Sequence, residues 1–315
     1  MKRTKLTALL LSMIMVTGLV GCGQQAETEA PAADAAKGES NVYLITMDQM
    51  DQHWVNVDAG AKKAAEELGN VKYTWLAPDV KDDAKQIECI NNAVAGGAQA
   101  IMLAANGPTA VTSALKEAEA AGVKIVYVDS AADFKAVQTL ATDNVAAGTT
   151  AGEEMKKAFE AAGVKEGKIG VISVTAATAS TVAREEGFRK AFEGTKFEIL
   201  ETQYCDGDAA KAKDMAANFI TQGVVGLFGA NEGSTVGIGN AIQESGGTVT
   251  GVGFDKSDAI LNLIKNGQLL CTMAQNPDVM GYEGLKTAVK AISGEAISPD
   301  YVDTGVSVIN KDTAK

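Results

Sequence analysis

From Asn41 onward, short apolar runs alternate with stretches of helical periodicity. The runs predict strands at 42–47, 71–76, 99–104, 123–128, 137–141, 168–174, 197–203, 223–229, 248–254, 269–274 and 301–308. Helices between them carry start and stop signals. Gly107-Pro108-Thr109 predicts a helix over 109–121 with proline in its first turn, stopped by Gly122. Asn276-Pro277 opens 277–292 in the same way, and Gly294 follows. Ser180 and Asp208 are expected to cap helices over 181–193 and 209–221.

Several of these strands, such as Val123-Lys-Ile-Val-Tyr-Val128 and Ile101-Met-Leu-Ala104, are almost continuously apolar. Strands covered on both faces have this pattern, and alternation with helices implies parallel sheets. Eleven strands exceed one comfortable open sheet. A (β/α)₈ barrel competes on length, but its rhythm does not allow two strands in succession around 129–143. The fold class expected is therefore α/β, with two doubly wound Rossmann-like lobes.

The chain begins differently. Lys2, Arg3 and Lys5 precede an apolar stretch from Leu6 to Val20. Spanning a bilayer takes about 20 residues, so this segment has the form of a signal peptide over 1–21. Leu19-Val20-Gly21-Cys22 resembles the lipobox of bacterial lipoproteins, which implies diacylglycerol on Cys22. Residues 22–40, rich in Ala, Glu, Gln and Gly, are expected to form a tether. The formal net charge of −12 falls by three more once Lys2, Arg3 and Lys5 are removed. So acidic a surface repels phosphate backbones, which excludes nucleic acid as a partner. Cys89, Cys205 and Cys271 are too few and too scattered for a disulfide framework, and are expected to be buried apolar residues. With one histidine in the chain, no familiar zinc set is present, and neither metal nor cofactor is expected.

No phosphate loop, dinucleotide fingerprint or nucleophile elbow occurs, so the chain is not expected to be an enzyme. What recurs instead is a polar residue where a strand ends: Asp129, Asn231 with Glu232, Asp255 and Gln275, with His53 and Trp54 in the loop after the first strand. That edge is where open α/β sheets bind ligands. Beyond Arg3 the arginines are Arg184 and Arg189. Arg184 stands near a predicted helix N-terminus, where the dipole disfavours a cation. Either Glu185 or Glu186 offsets it, or its planar fork of donors serves a ligand's oxygens; the second reading is preferred. Arg189 is expected on a solvated face. Planar polar side chains beside a tryptophan suit a polyhydroxylated small molecule.

Ala141-Thr-Asp143-Asn144, Arg184-Glu-Glu-Gly-Phe188, Phe228-Gly-Ala-Asn231-Glu232, Val252-Gly-Phe254-Asp255 and Thr272-Met-Ala-Gln275 resemble the sugar-binding proteins of bacterial ABC importers, in the group that includes ribose-binding protein. The resemblance runs from about residue 41 to 312. It implies two lobes, 41–142 with 276–304 and 143–275 with 305–315, joined by three hinge segments that close over the ligand. Family binding positions fall on Asp51, His53, Trp54, Asp129, Arg184, Asn231, Asp255 and Gln275, with His53 open to reading as either a ligand contact or a solvated loop residue. Asp129 is followed by Ser130 where ribose binders have arginine, and Gly207 stands where they have an aromatic. Those losses imply a different and roomier pocket, for another pentose, a hexose, a polyol or autoinducer-2. The expected partners are the sugar or polyol and ABC permease subunits, met by a monomer that is lipid-anchored on the extracytoplasmic side of the cell membrane. A sensor that reports its ligand to a membrane receptor is the alternative.

Overall fold

The computed structural model describes residues 38–314, so the signal segment and Cys22 lie outside the described residues. In the first stretch, β1 (Ser40–Ile45), α1 (Gln52–Leu68), β2 (Val71–Leu76), α2 (Asp83–Ala95), β3 (Ala100–Leu103), α3 (Thr112–Ala120) and β4 (Lys124–Val128) alternate regularly. β5 (Gln138–Ala141) then follows β4 with no helix between. Next come α4 (Asn144–Ala162), β6 (Gly167–Ser173), α5 (Ala179–Ala191), β7 (Phe197–Ile199), β8 (Gln203–Tyr204) and α6 (Ala209–Thr221). β9 (Gly226–Gly229), α7 (Glu232–Glu244), β10 (Thr250–Phe254), α8 (Asp258–Lys265) and β11 (Cys271–Gln275) follow. α9 (Pro277–Ile292), β12 (Tyr301–Asp303) and β13 (Val306–Asn310) end the chain.

The strands form two sheets, ordered β2-β1-β3-β4-β5-β12 and β7-β6-β9-β10-β11-β13. Each begins with the same inversion: β1 lies between β2 and β3, and β6 lies between β9 on one side and β7 with the short β8 on the other, as in flavodoxin-like folds. Every pair is parallel except β13, which runs antiparallel to β11. That single reversal departs from the all-parallel expectation. The chain passes between sheets after β5, after β11 and between β12 and β13. Buried side chains fill both faces of each sheet, as the continuous apolar runs require.

Within each lobe two helices touch at glycine. A Cβ on Gly60 would stand 2.0 Å from Asp278 O, which fixes how closely α1 approaches α9. A Cβ on Gly187 would stand 2.0 Å from Val145 O, which does the same for α5 and α4.

Several boundaries differ from the sequence reading. The run 301–308 is two strands in two sheets, broken at Gly305 with φ 80°. Pro108 lies in a turn, and α3 starts only at Thr112. Ser180 sits inside α5, whose N-cap is Thr178, whereas Asp208 caps α6 through bonds from Ala210 N and Lys211 N. Ser40, assigned to the tether, already belongs to β1.

Candidate ligand-binding site

The carboxyl ends of both sheets meet at one small chamber. Asp51, His53, Trp54, Asp129, Arg184, Asn231, Asp255 and Gln275 all line it. Its volume is about 20 Å³, room for little more than a water. An outer cleft of about 820 Å³ shares His53, Asp255 and Gln275 with it. Those three side chains therefore face both spaces.

His53 lies at the centre. It is not in a loop: it stands in the first turn of α1, with 5% of its surface exposed. Its Nε2 is 3.0 Å from Asp129 Oδ2 and its Nδ1 is 3.5 Å from Asp255 Oδ1. The Nε2 contact is an ion-pair approach, since the ring N–H is not aligned for a hydrogen bond. The two aspartates occupy equivalent places, Asp129 after β4 and Asp255 after β10, each strand being fourth along the spatial order of its sheet. Both adopt left-handed backbone, φ 65° at Asp129 and 75° at Asp255. Such strain in non-glycine residues costs about 1–3 kcal/mol and tends to collect at functional sites. Burial opposes the charge on His53, but the two carboxylates outweigh it and raise its pKa. Burial likewise works to raise the Asp129 pKa, but His53 and Arg184 drive it well below the usual carboxylate range.

Arg184 is 2% exposed. Its Nε donates to Asn144 Oδ1 at 2.8 Å and its Nη1 to Ala230 O at 3.0 Å. The guanidinium stacks 4.4 Å above the Phe254 ring, and Nη2 lies 3.6 Å from Asp129 Oδ2 with no hydrogen-bond partner. Neither adjacent glutamate offsets it: Glu185 bonds Arg189 and Thr202 instead. Arg189 is not on a free solvated face either, because it ties α5 to the backbone at Ile199 and Leu200. Asn231 caps α7 through Oδ1, which leaves its Nδ2 without a partner. Trp54 Nε1 is also buried and unpartnered, and its ring meets His53 edge-on at 4.6 Å. Gln275 donates to Asp255 Oδ1 at 2.6 Å and accepts from Thr142 at 2.9 Å.

Charge reading along the chain missed Lys81. It follows β2 in a run of aspartates, where it reads as a solvated loop residue, yet its side chain is 5% exposed. It bonds Asp48, and Asp51 at 2.9 Å, and it lines the chamber. Its position after a strand's carboxyl end was the available signal. A Cβ on Gly207 would fall 2.7 Å from Lys81 Nζ. Lysine therefore occupies the side that glycine leaves open. At Ser130, the hydroxyl donates to Asp129 at 2.7 Å and lies 2.6 Å from Ser180 Oγ of the opposite lobe. Cys205 and Cys271 are buried, but Cys89 is only half-buried; all three are free thiols. Among the described residues, no cluster of three metal-ligating side chains occurs.

A family model described as the periplasmic binding protein domain matches residues 42–296. The ribose import binding protein RbsB of Escherichia coli is 29% identical over 272 residues, covering 84% of this chain and 89% of that protein. A carbohydrate transporter solute-binding protein from Agrobacterium radiobacter, solved with D-arabinose, superposes with a TM-score of 0.83 at 32% identity, covering 88% of this chain and 96% of the other. An ABC transporter solute-binding protein from Agrobacterium vitis, solved with D-fucose, gives 0.81 at 30% identity, covering 87% and 96%. Agreement in sequence and in fold over nearly the whole length leads to one conclusion: the chain belongs to the periplasmic binding protein domain family.

Proposed function

We propose that this chain captures a monosaccharide or similar polyhydroxylated molecule between its lobes and delivers it to an ABC permease. The observation that carries this reading is the set of buried donors without partners, Arg184 Nη2, Asn231 Nδ2 and Trp54 Nε1, around one chamber. Buried donors normally find acceptors, and leaving one unpaired costs about 1–3 kcal/mol. Ligand oxygens would meet that need, while Asp51, Asp129 and Asp255 accept from its hydroxyls. The names of the relatives, with ribose, arabinose and fucose among their ligands, support the same class.

Pockets for small molecules usually enclose about 300–1,000 Å³, so capture requires the lobes to part and close again. The hinge would lie at the three crossings, with 41–142 and 276–304 moving against 143–275 and 305–315. Ligand contacts to both lobes would then shift the open–closed balance. The protein would work as a monomer, with no catalytic step, held outside the cytoplasm by lipid on Cys22.

A thermal-shift panel of monosaccharides, polyols and autoinducer-2 tests the reading. A true ligand at a hundredfold over its Kd adds about 2.7 kcal/mol to stability, and the shift should largely disappear in Arg184→Ala. A panel in which nothing raises the melting temperature would overturn it.

A further inference from the structure

Helix α1 carries His53 and Trp54 on its first turn, yet its own N-cap does not cap it. Asp51 makes no side-chain cap bond and is held by Lys81 instead. The N-terminus of α1 is served from the other lobe. Glu232 Oε2 accepts from His53 N at 3.1 Å, across 179 positions of sequence. Glu232 is itself placed by local bonding and packing. It is the first residue of α7, behind the Asn231–Ser234 capping box. A Cβ on the next residue, Gly233, would stand only 1.7 Å from Gly207 O, so this end of α7 packs directly on the backbone at Gly207.

We propose that Glu232 is a positioning residue for ligand capture: by capping α1 from the opposite lobe, it fixes His53 and Trp54 in place only when the lobes are shut. This rests on the capture of a small molecule by lobe closure. A carboxylate at a helix N-terminus is favourable both as an acceptor and through the helix dipole. Sharing that cap between lobes makes the order of the first turn depend on closure.

The surroundings make this latch sensitive to protons. Asp51, Asp255 and His53 face Glu232, with Lys256, Asp258 and Asp278 along the same cleft. Burial, reinforced by Asp51 and Asp255, pushes the Glu232 carboxyl up to about 7, against the pull of the His53 and Gln52 amides. The cap therefore changes charge near neutrality.

Amide hydrogen exchange tests this on the protein saturated with D-ribose, D-allose, D-arabinose or D-fucose, whichever raises its melting temperature, because the cap forms only with the lobes shut. In Glu232→Ala, the amides at 52–54 should exchange about tenfold faster, the size expected for losing one charged hydrogen bond. Exchange in the body of α7 should stay unchanged. Glu232→Gln keeps an acceptor but cannot ionise. It should restore most of the protection and abolish the step near pH 7 that remains in the wild type after correction for intrinsic rates. A merely structural glutamate would leave no such step. Unchanged exchange at 52–54 in Glu232→Ala, or faster exchange spread evenly through both lobes, would overturn the proposal. A sugar panel with no binder would overturn both readings, whereas a binder with unchanged exchange at 52–54 in Glu232→Ala would overturn the latch alone.

Discussion

Arg184 is bound at Nε and Nη1 and supported beneath by the Phe254 ring, so its remaining nitrogen is aimed by the protein rather than by the ligand. Lysine offers a point charge without that fork. Arg184→Lys should therefore stay folded but lose roughly ten- to a hundredfold in sugar affinity by calorimetry. Unchanged affinity would remove Arg184 from the site. Arginine at that position was legible because its placement near a helix N-terminus contradicts the dipole unless something else holds it. Asp129 and Asp255 were legible because each ends an apolar strand. Lys81 was not, because aspartates crowd its stretch of sequence and only the fold shows which of them turn inward. The same limit applied to Ser180, whose hydroxyl meets Ser130 across the lobes instead of capping its helix.

The helices α4 and α5 approach each other at Gly187, where a Cβ would meet Val145 O at 2.0 Å. Backbone cannot give way as a flexible side chain does. Gly187→Ala should cost about 1–3 kcal/mol of stability, seen as a lower melting temperature. It should also weaken ligand binding, because α5 carries Arg184. A mutant with wild-type melting and affinity would show that the helices separate freely. Elements such as β4 and α9 could be read from sequence because apolar continuity and the Asn276-Pro277 start belong to local physics. The division of 301–308 could not, since its two halves pair with different sheets and only tertiary contacts decide that. The late start of α3 has a local cause: the turn at 108–111 occupies the first positions after Pro108.

Across the whole molecule, two groups with raised pKa values line the cleft proposed to take the ligand. His53 and Glu232 both have raised pKa values in the folded protein. Groups shifted this way contribute stability that is fully present below their ordinary pKa and lost as pH climbs through the folded value. Asp48 and Asp129 are shifted down, so their contribution disappears only as pH falls below the ordinary carboxylate value of 3.8. The melting temperature should thus be highest in mild acid and fall as pH rises through about 7, and Glu232→Gln should reduce that fall. A melting temperature that rises through neutrality would contradict the assignment. The central claim is that a sugar sits between the lobes against Trp54, and the chain's two tryptophans, Trp54 and Trp75, allow it to be read directly. Trp75 donates its indole N–H to Thr46 Oγ1 at 2.9 Å, does not line the chamber, and serves as the control. The measurement is tryptophan emission in Trp75→Phe, titrated with D-ribose, D-allose, D-arabinose and D-fucose. A saturable change with at least one of them, absent in Trp54→Phe, is the result expected. No saturable change with any sugar, or a change that persists in Trp54→Phe and vanishes in Trp75→Phe, would contradict it.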